Sequence, residues 1–249
     1  MKSASHYICR EPRTPEELLD IFRLRRRVFV ESGLDVFLTK AGAHYDVDID
    51  CYDLRATHFG LYQCEKNGCK LVGSIRAVGP VETNSAGWVR SLTENMPRLR
   101  REIAKIPSRP LPLMKYTLCH QLLAGLDTKC RRQGKTLFEI GRFVMEPSHR
   151  AVFLSRALVE AVIAFTQSCN GSMIFACSAA HRLIYQMYLN WPLSLTPEFR
   201  FKGNSVTLIF WDMSLLPIAL HEKMTMVADQ YRTGKELHFY PDVKIPAVR

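Results

Sequence analysis

Two periodicities of apolar residues alternate along this chain of 249 residues. Helical spacing predicts a first helix that begins at Pro15 and is stopped by Gly33, and further helices over 120–132, 150–168, 181–190 and 215–229. Period-two alternation or short continuous apolar runs predict strands over 6–11, 57–64, 70–78, 136–145, 173–177, 199–201 and 206–211. Between them we expect an acidic loop at 34–54, an irregular insert at 80–116 and a loose tail at the end of the chain. This order of elements indicates an α+β fold around a mixed sheet.

Local signals support two of these elements in particular. Thr14 is placed to cap the first helix, with Pro15 in its first turn and Glu17 completing a capping box. Gly33 is expected to end the same helix. The pair Asn67-Gly68 is typical of a two-residue turn and predicts a β-hairpin between the strands on either side.

Composition and charge narrow the class of protein. A content of 47% hydrophobic and 23% charged residues is that of an ordinary globular protein. The first residues lack the apolar core of a secretory signal, so we expect a cytoplasmic protein. Its eight cysteines have no zinc-ligand spacing, so we predict no metal site. Because we expect a cytoplasmic protein, we predict that these cysteines are reduced thiols, some of them core residues such as Cys177. The net charge of +10 indicates either a solvated basic surface or an acidic partner.

One predicted strand carries ionisable residues in an otherwise apolar run. Glu139 and Arg142 lie within Phe138-Glu139-Ile140-Gly141-Arg142-Phe143-Val144-Met145. Ionised groups are costly to bury unless they are paired or functional. Further charged residues precede them in the chain: Arg25, Arg76, and an acidic cluster of Asp46, Asp48, Asp50 and Asp53. The set is either a structural network of salt bridges or the polar part of an active site.

The ordered motifs favour an active site. Arg25 to Glu31, Asp50-Cys51-Tyr52-Asp53 with His58-Phe59, Val72 to Arg76, and Glu139 to Phe143 stand in that sequence along the chain. Together they resemble the acyl-homoserine lactone (autoinducer) synthases, a branch of the GNAT-like N-acyltransferases, over residues 15–210. The stretch Phe138–Arg150 is also similar to ornithine-lipid N-acyltransferases, and N-acyl amino acid synthases share the scaffold. Leu34 stands where the lactone synthases usually carry a tryptophan that helps to hold S-adenosylmethionine.

The resemblance implies a GNAT-like three-layer fold with a central mixed, largely antiparallel sheet. Residues 1–213 would form the acyltransferase domain, and 214–249 a helical extension of it. Gly141 between Glu139 and Arg142 suggests a β-bulge in this strand. The resemblance implies that a bulge near Gly141–Phe143 offers one backbone N–H to a thioester oxygen. Catalytic roles fall to Glu139 as general base, Asp50, Arg142, and Tyr188 as a proton donor to the leaving thiolate. The expected substrate-binding residues are Arg25, Phe29, Asp53, Arg76, Phe143, Val144 and Arg150.

The donor would be an acyl-phosphopantetheine thioester on acyl carrier protein or on coenzyme A, with no bound cofactor. Basic residues are candidates to meet the acidic carrier: Arg98, Arg100, Arg101, Lys129, Arg131, Arg132 and Arg150. S-adenosylmethionine, an amino acid or an ornithine-lipid precursor would be the small amine acceptor, and the last would add a peripheral membrane contact. The alternatives are a basic nucleic-acid-binding protein, supported by charge alone, and a family member that binds acyl chains without catalysis.

Overall fold

The computed structural model describes residues 6–105, 107, 109–178, 194–195, 199–201, 203–216, 218–234 and 236–240. The strands are β1 His6–Arg10, β2 Ala56–Glu65, β3 Gly68–Val78, β4 Thr136–Met145, β5 Gly171–Ser178, β6 Ser194–Leu195, β7 Phe199–Phe201, β8 Asn204–Trp211 and β9 Glu236–Phe239. The α-helices are α1 Pro15–Glu31, α2 Lys40–Ala43, α3 Ala86–Thr93, α4 Pro97–Ile103, α5 Thr117–Arg132, α6 Val152–Ser168 and α7 Ile218–Gly234. Short 3₁₀ turns lie at Asp35–Phe37, Cys51–Arg55, Pro112–Lys115, Pro147–His149 and Met213–Leu215.

All the described strands belong to one mixed sheet with the order β6-β8-β5-β4-β3-β2-β1-β9, and β7 also pairs with β8. Among the pairs in the described part of the chain, only β4 and β5 run parallel. Their pairing extends from Thr136↔Gly171 to Ile140↔Phe175. Because β4 continues to Met145 and β5 to Ser178, the two strands separate beyond this point and leave a gap in the middle of the sheet.

A β-bulge interrupts β4 at the gap. Ser74 pairs with Val144 and Arg76 pairs with Gly141, so the single residue Ile75 of β3 faces both Arg142 and Phe143. Arg142 has a φ of 54°, in the left-handed region that few residues other than glycine adopt. The prediction of a bulge near Gly141–Phe143 is therefore confirmed. The extra residue also changes the alternation of side chains along β4, so Glu139 and Arg142 both reach the face that carries α1.

Helices cover both faces of the sheet, with a different pair of helices on each face. On the first face, Val144 packs with Leu24 and Val28 of α1, and α5 covers the neighbouring strands. On the second face, α6 and α7 bury the main apolar core, in which Phe138, Ile140 and Phe143 of β4 take part. No helix among the described residues combines the length and apolar character needed to cross a membrane.

The structure confirms most of the predicted elements and several of the local signals. The side chain of Thr14 accepts a hydrogen bond from the N–H of Glu17 and so caps α1. The other half of the capping box does not form, because the Glu17 carboxylate is paired with Arg10. Cys177 is buried as expected. The predicted helix 181–190, with Tyr188, lies outside the described residues.

Three other predictions were wrong. The insert 80–116 contains α3 and α4, whose Val89, Leu99 and Ile103 pack on Phe22 of α1. The two helices have 8 and 7 residues, about two turns each, which is too short for a helical period to stand out. The tail contains β9, which pairs with β1. The turn between β2 and β3 lies at 66–67, one residue earlier than predicted, since Glu65 pairs with Gly68.

The expectation of eight reduced thiols was also wrong. Cys64 and Cys69 form a disulfide, while the other six cysteines are not disulfide-bonded. The hairpin register places these two residues directly opposite one another on β2 and β3, with their Cα atoms 4.1 Å apart. The sequence spacing alone did not reveal this, because it depends on where the turn falls.

Candidate active site

The face of the sheet beneath α1 holds a buried network of three arginines and three aspartates. Arg25 comes from α1, Arg76 from β3 and Arg142 from the bulge in β4. Asp48, Asp50 and Asp53 come from the acidic segment before β2. Six of the charged residues singled out in the sequence thus meet at one place, and their formal charges balance. An ionic network without excess charge is the arrangement in which burial is least costly.

Arg25 is fully buried and is held by two of the aspartates. Its Nε and Nη2 atoms donate to Oδ2 of Asp48 at 3.0 and 2.8 Å. Its Nη1 atom donates to Oδ1 of Asp53 at 3.0 Å. Phe22 packs beneath the guanidinium, with its ring centroid 5.2 Å from Cζ. This arginine therefore fixes α1 to the acidic segment.

Arg76 and Arg142 complete the network from the sheet. Nη1 of Arg76 donates to Oδ1 of Asp50 at 3.0 Å and to Oδ1 of Asp53 at 2.9 Å. Nε of Arg142 lies 2.8 Å from Oδ2 of Asp48, and its Nη2 atom donates to the carbonyl of Phe37 at 3.1 Å. The ring of Phe29 lies under the Arg142 guanidinium, 5.5 Å from its Cζ atom.

The aspartates are positioned by the backbone as well as by the arginines. Oδ1 of Asp50 accepts from the N–H of Tyr52 at 2.9 Å, and Oδ2 of Asp53 accepts from the N–H of Asp50 at 2.7 Å. These bonds cap the 3₁₀ turn Cys51–Arg55 at its first residues. Both oxygens of Asp53 are used inside the protein, and its side chain has no exposed surface. Asp53 thus orients the arginines and has no oxygen left for a substrate.

Burial and charge act in opposite directions on the pKa values of this network. Burial raises the pKa of Asp53, but Arg25 and Arg76 outweigh it and hold that pKa well below its ordinary value. Arg142 and Arg25 do the same for the pKa of Asp48. His58, next to Asp53, is fully buried, and burial lowers its pKa to about 3. Asp48 and Asp53 are therefore ionised and His58 is neutral at physiological pH.

Glu139 lies beside this network but is not part of it. No arginine or lysine in the described part of the chain forms an ion pair with it. Its Oε2 atom accepts from the backbone N–H of Leu113 at 2.7 Å, while Oε1 forms no hydrogen bond to a described residue. Burial raises the pKa of Glu139 to about 8, and the hydrogen bond from Leu113 offsets only part of that effect. Such a carboxyl group can take up or release a proton near neutral pH, as a general base must.

The remaining predicted residues lie at the gap or outside it. Phe143 points into the apolar core on the α6 side, and Val144 packs under α1. Arg150 follows β4, is exposed, and donates to the Ser32 hydroxyl at 3.3 Å. Tyr188 is beyond the described residues. The site thus has a polar side with Glu139 and the network, an apolar side with Phe143, and the bulge between them.

Two contributors were not assigned a role from the sequence. Asp48 was only one member of the acidic cluster, yet it contacts both Arg25 and Arg142. Its position between Val47 and Ile49 was the available signal, because an aspartate between buried apolar residues must have a partner. Leu113 contributes through its backbone N–H, which no side-chain pattern reports. Among the described residues, no group of three or more histidines, cysteines or acidic residues could hold a metal ion.

Comparison with known proteins gives a structural likeness alone. No model of a protein family matches the chain, and no curated protein does so either. Among solved structures, FeeM, an N-acyl amino acid synthase from uncultured soil microbes, has a TM-score of 0.57 at 16% identity, covering 86% of this chain and 96% of that chain. The likeness to FeeM confirms the predicted GNAT-like α+β fold.

Acyl-homoserine lactone synthases are also similar in structure. The coenzyme A-dependent synthase BjaI, with S-adenosylmethionine and isopentyl-CoA, has a TM-score of 0.47 at 16% identity, over 84% of this chain and 82% of that chain. The synthase LasI has a TM-score of 0.46 at 14% identity, over 84% of this chain and 91% of that chain.

Proposed function

We propose that this protein is an N-acyltransferase. It moves a fatty acyl group from a phosphopantetheine thioester to the amine of a small acceptor, and the product is an N-acyl amino acid or an N-acyl-homoserine lactone. The observation that carries the proposal is the position of Glu139. A buried carboxyl group that forms no ion pair with a described residue, with its pKa raised to about 8, stands next to a β-bulge at a gap in the sheet.

The two faces of the sheet suit the two substrates. The face with Glu139, Arg76 and Arg142 is polar and charged, which fits a small polar amine. The opposite face is apolar around Phe143, which fits a fatty acyl chain. A thioester that enters the gap between β4 and β5 brings its carbonyl carbon between the two faces. This is the position that an amide-forming transfer requires.

The proposed acyl transfer takes place in three steps. Glu139, as carboxylate, removes a proton from the acceptor ammonium or amine, directly or through a water molecule. The amine nitrogen attacks the thioester carbonyl carbon, and a backbone N–H of the bulge stabilises the oxyanion that forms. As the C–S bond breaks, the nitrogen of the tetrahedral adduct loses its second excess proton and the departing thiolate takes up a proton, which leaves the amide and a free thiol. The proton that Glu139 took from an ammonium acceptor then passes to solvent, so Glu139 is a carboxylate again and one proton is released in each turnover.

The ionic network has a supporting role in this scheme. Its aspartates are saturated by arginines and backbone N–H groups, so it holds α1, β3 and the bulge in a fixed relation. We therefore assign Arg25 and Asp53 to positioning. Arg142, whose side chain is 14% exposed, is the member of the network that reaches the gap.

Acyl carrier protein and coenzyme A are the two candidate carriers of the acyl thioester. The basic residues Lys129, Arg131 and Arg132 lie in the last turn of α5, which leads into the first residue of β4. The bulge lies about 20 Å further along that strand, at ~3.3 Å per residue. Arg150 lies beyond the other end of β4, just before α6, and is exposed, so it is a candidate to contact the phosphate of a pantetheine arm.

A product screen tests the proposal. Purified protein is given acyl carrier proteins and acyl-CoAs of several chain lengths, with S-adenosylmethionine, an amino-acid pool or an ornithine-lipid precursor in separate reactions. Mass spectrometry should detect an amide that depends on both substrates and is lost in Glu139→Gln. No amide with any pair, together with salt-sensitive retention on DNA, would favour the nucleic-acid-binding alternative instead.

A further inference from the structure

Neither the backbone conformation nor the packing requires a glycine at position 141. Its φ lies outside the positive range that favours glycine, unlike those of Gly33, Gly68, Gly134 and Gly203. A Cβ atom built on Gly141 meets no atom of a described residue within 4 Å. At Gly171, by contrast, the same atom would lie 2.7 Å from the Phe138 ring. The missing side chain at 141 therefore leaves open space on the polar face of the sheet.

Ala176 extends this space onto the next strand. It follows Phe175, the last residue of β5 that pairs with β4, and its side chain shares the α1 face with Ile174. Ala176 is exposed, although β5 lies in the interior of the sheet between β4 and β8. Gly141 and Ala176 thus form a bare notch in the sheet where the two strands separate.

Two polar groups with unused hydrogen-bonding capacity border the notch. Arg76 pairs directly with Gly141 across the strands and is only 4% exposed, yet its Nε atom has no hydrogen-bond partner. Glu139 lies two residues before Gly141 on the same face, with Oε1 not hydrogen-bonded to a described residue. A buried donor without a partner is costly, so Arg76 Nε indicates a missing hydrogen-bond acceptor.

We propose that the notch receives the α-amino acid group of the acceptor. The absence of a side chain at Gly141 then sets the largest substituent that the α-carbon of the acceptor can carry. The amine faces Glu139, and a carboxylate oxygen accepts from Nε of Arg76. This inference rests on the proposed function and specifies its acceptor. A free amino acid and the amino acid end of S-adenosylmethionine share this chemistry, so the two sources are separate arms of the test.

The test adds a side chain at the notch and measures kcat/KM for acceptors of increasing size. Gly141→Ala and Gly141→Val are compared with the wild-type protein on glycine, alanine, leucine, phenylalanine and S-adenosylmethionine. Gly87→Val is the matched control, because it adds the same side chain at an exposed glycine of α3 with nothing within 4 Å. Thermal unfolding checks that each variant folds, and valine suits a strand.

We expect Gly141→Val to lower kcat/KM least for glycine, the acceptor without a substituent on its α-carbon. The large acceptors that the wild-type protein uses should lose about 10- to 200-fold, as expected for one or two misplaced carbon atoms in a pocket. Gly141→Ala should show a smaller loss in the same order. Equal losses for glycine and the large acceptors, or no loss for any of them, would overturn the inference while wild-type activity keeps the proposed function. If the wild-type protein forms no amide, both fail.

Discussion

The backbone N–H of Leu113 donates to Oε2 of Glu139 across 26 residues of sequence, at 2.7 Å. This bond connects the 3₁₀ turn Pro112–Lys115 to the middle of β4. It orients the carboxyl group and lowers its pKa more than Arg76 does, but the effect of burial is larger than either. Glu139 therefore keeps a raised pKa.

Glu139→Gln should make the folded protein more stable at alkaline pH. The folded pKa of Glu139 is about 8, above the ordinary value of 4.5. Its contribution to stability is therefore complete below pH 4.5 and is lost as pH rises towards 8. Glutamine cannot ionise, and its amide oxygen can still accept from Leu113. Urea unfolding at pH 5 and pH 8.5 should show a gain in the midpoint only at the higher pH. A lower midpoint for the variant at pH 8.5 would contradict a raised pKa.

Arg25→Met should destabilise the protein by about 3–5 kcal/mol, because it leaves Asp48 and Asp53 buried without this partner. The matched control is Arg23→Met on the same helix. Arg23 pairs with Asp20, and both side chains are more than half exposed, so the loss should lie within about 1 kcal/mol. Chemical denaturation of both variants measures the difference. Similar small losses for both would mean that the network is not structural.

His58→Gln should weaken the acid sensitivity of the fold. Burial lowers the folded pKa of His58 to about 3, while the unfolded chain titrates near 6.5. The contribution of neutral His58 to the free energy of unfolding is complete above pH 6.5. It is lost as pH falls towards 3, by about 1.4 kcal/mol per pH unit. Unfolding free energies at pH 7, 6 and 5 should fall less steeply in the variant than in the wild-type protein. The matched control is His44→Gln at an exposed histidine, which should keep the wild-type slope. A wild-type slope in His58→Gln would contradict a lowered pKa of His58.

Thiol titration of the unfolded protein should find six reactive thiols before treatment with a reductant and eight afterwards. The disulfide closes a short loop at the end of the β2–β3 hairpin. Loop closure of this size stabilises a fold by about 2 kcal/mol, so the Cys64→Ser, Cys69→Ser double variant should lose about that amount. Eight reactive thiols in protein purified without reductant would contradict the bridge.

Much of the fold was predictable because its central elements have strong local patterns. The apolar run of β4 fixed its bounds at 136–145, and the cap at Thr14 fixed the start of α1. Gly141 between Glu139 and Arg142 suggested the bulge, and the resemblance to acyltransferases supported it. The short helices α3 and α4 and the edge strand β9 were not predictable, because each depends on packing or pairing with distant residues.

The members of the site were predictable but their partners were not. Charged residues in apolar surroundings had to be paired or functional, and this identified Arg25, Arg76, Glu139 and Arg142. The sequence could not decide which carboxylates would neutralise the arginines and which would stay free. That distinction depends on the register of β3 and β4 and on the capped turn Cys51–Arg55. Both carboxylate oxygens of Asp53 accept hydrogen bonds within the protein, whereas Oε1 of Glu139 accepts none from a described residue.

The most direct test of the account is the pH dependence of kcat/KM for amide formation in the wild-type protein and in Glu139→Gln. Because the carboxylate is the active form, the wild-type rate should rise about tenfold per pH unit up to a pKa near 8 and then level. Glu139→Gln should lose about 10²- to 10⁴-fold and lack this rise. A wild-type profile that is flat between pH 6 and 8, or a variant that retains full activity, would contradict the role of Glu139 as the base.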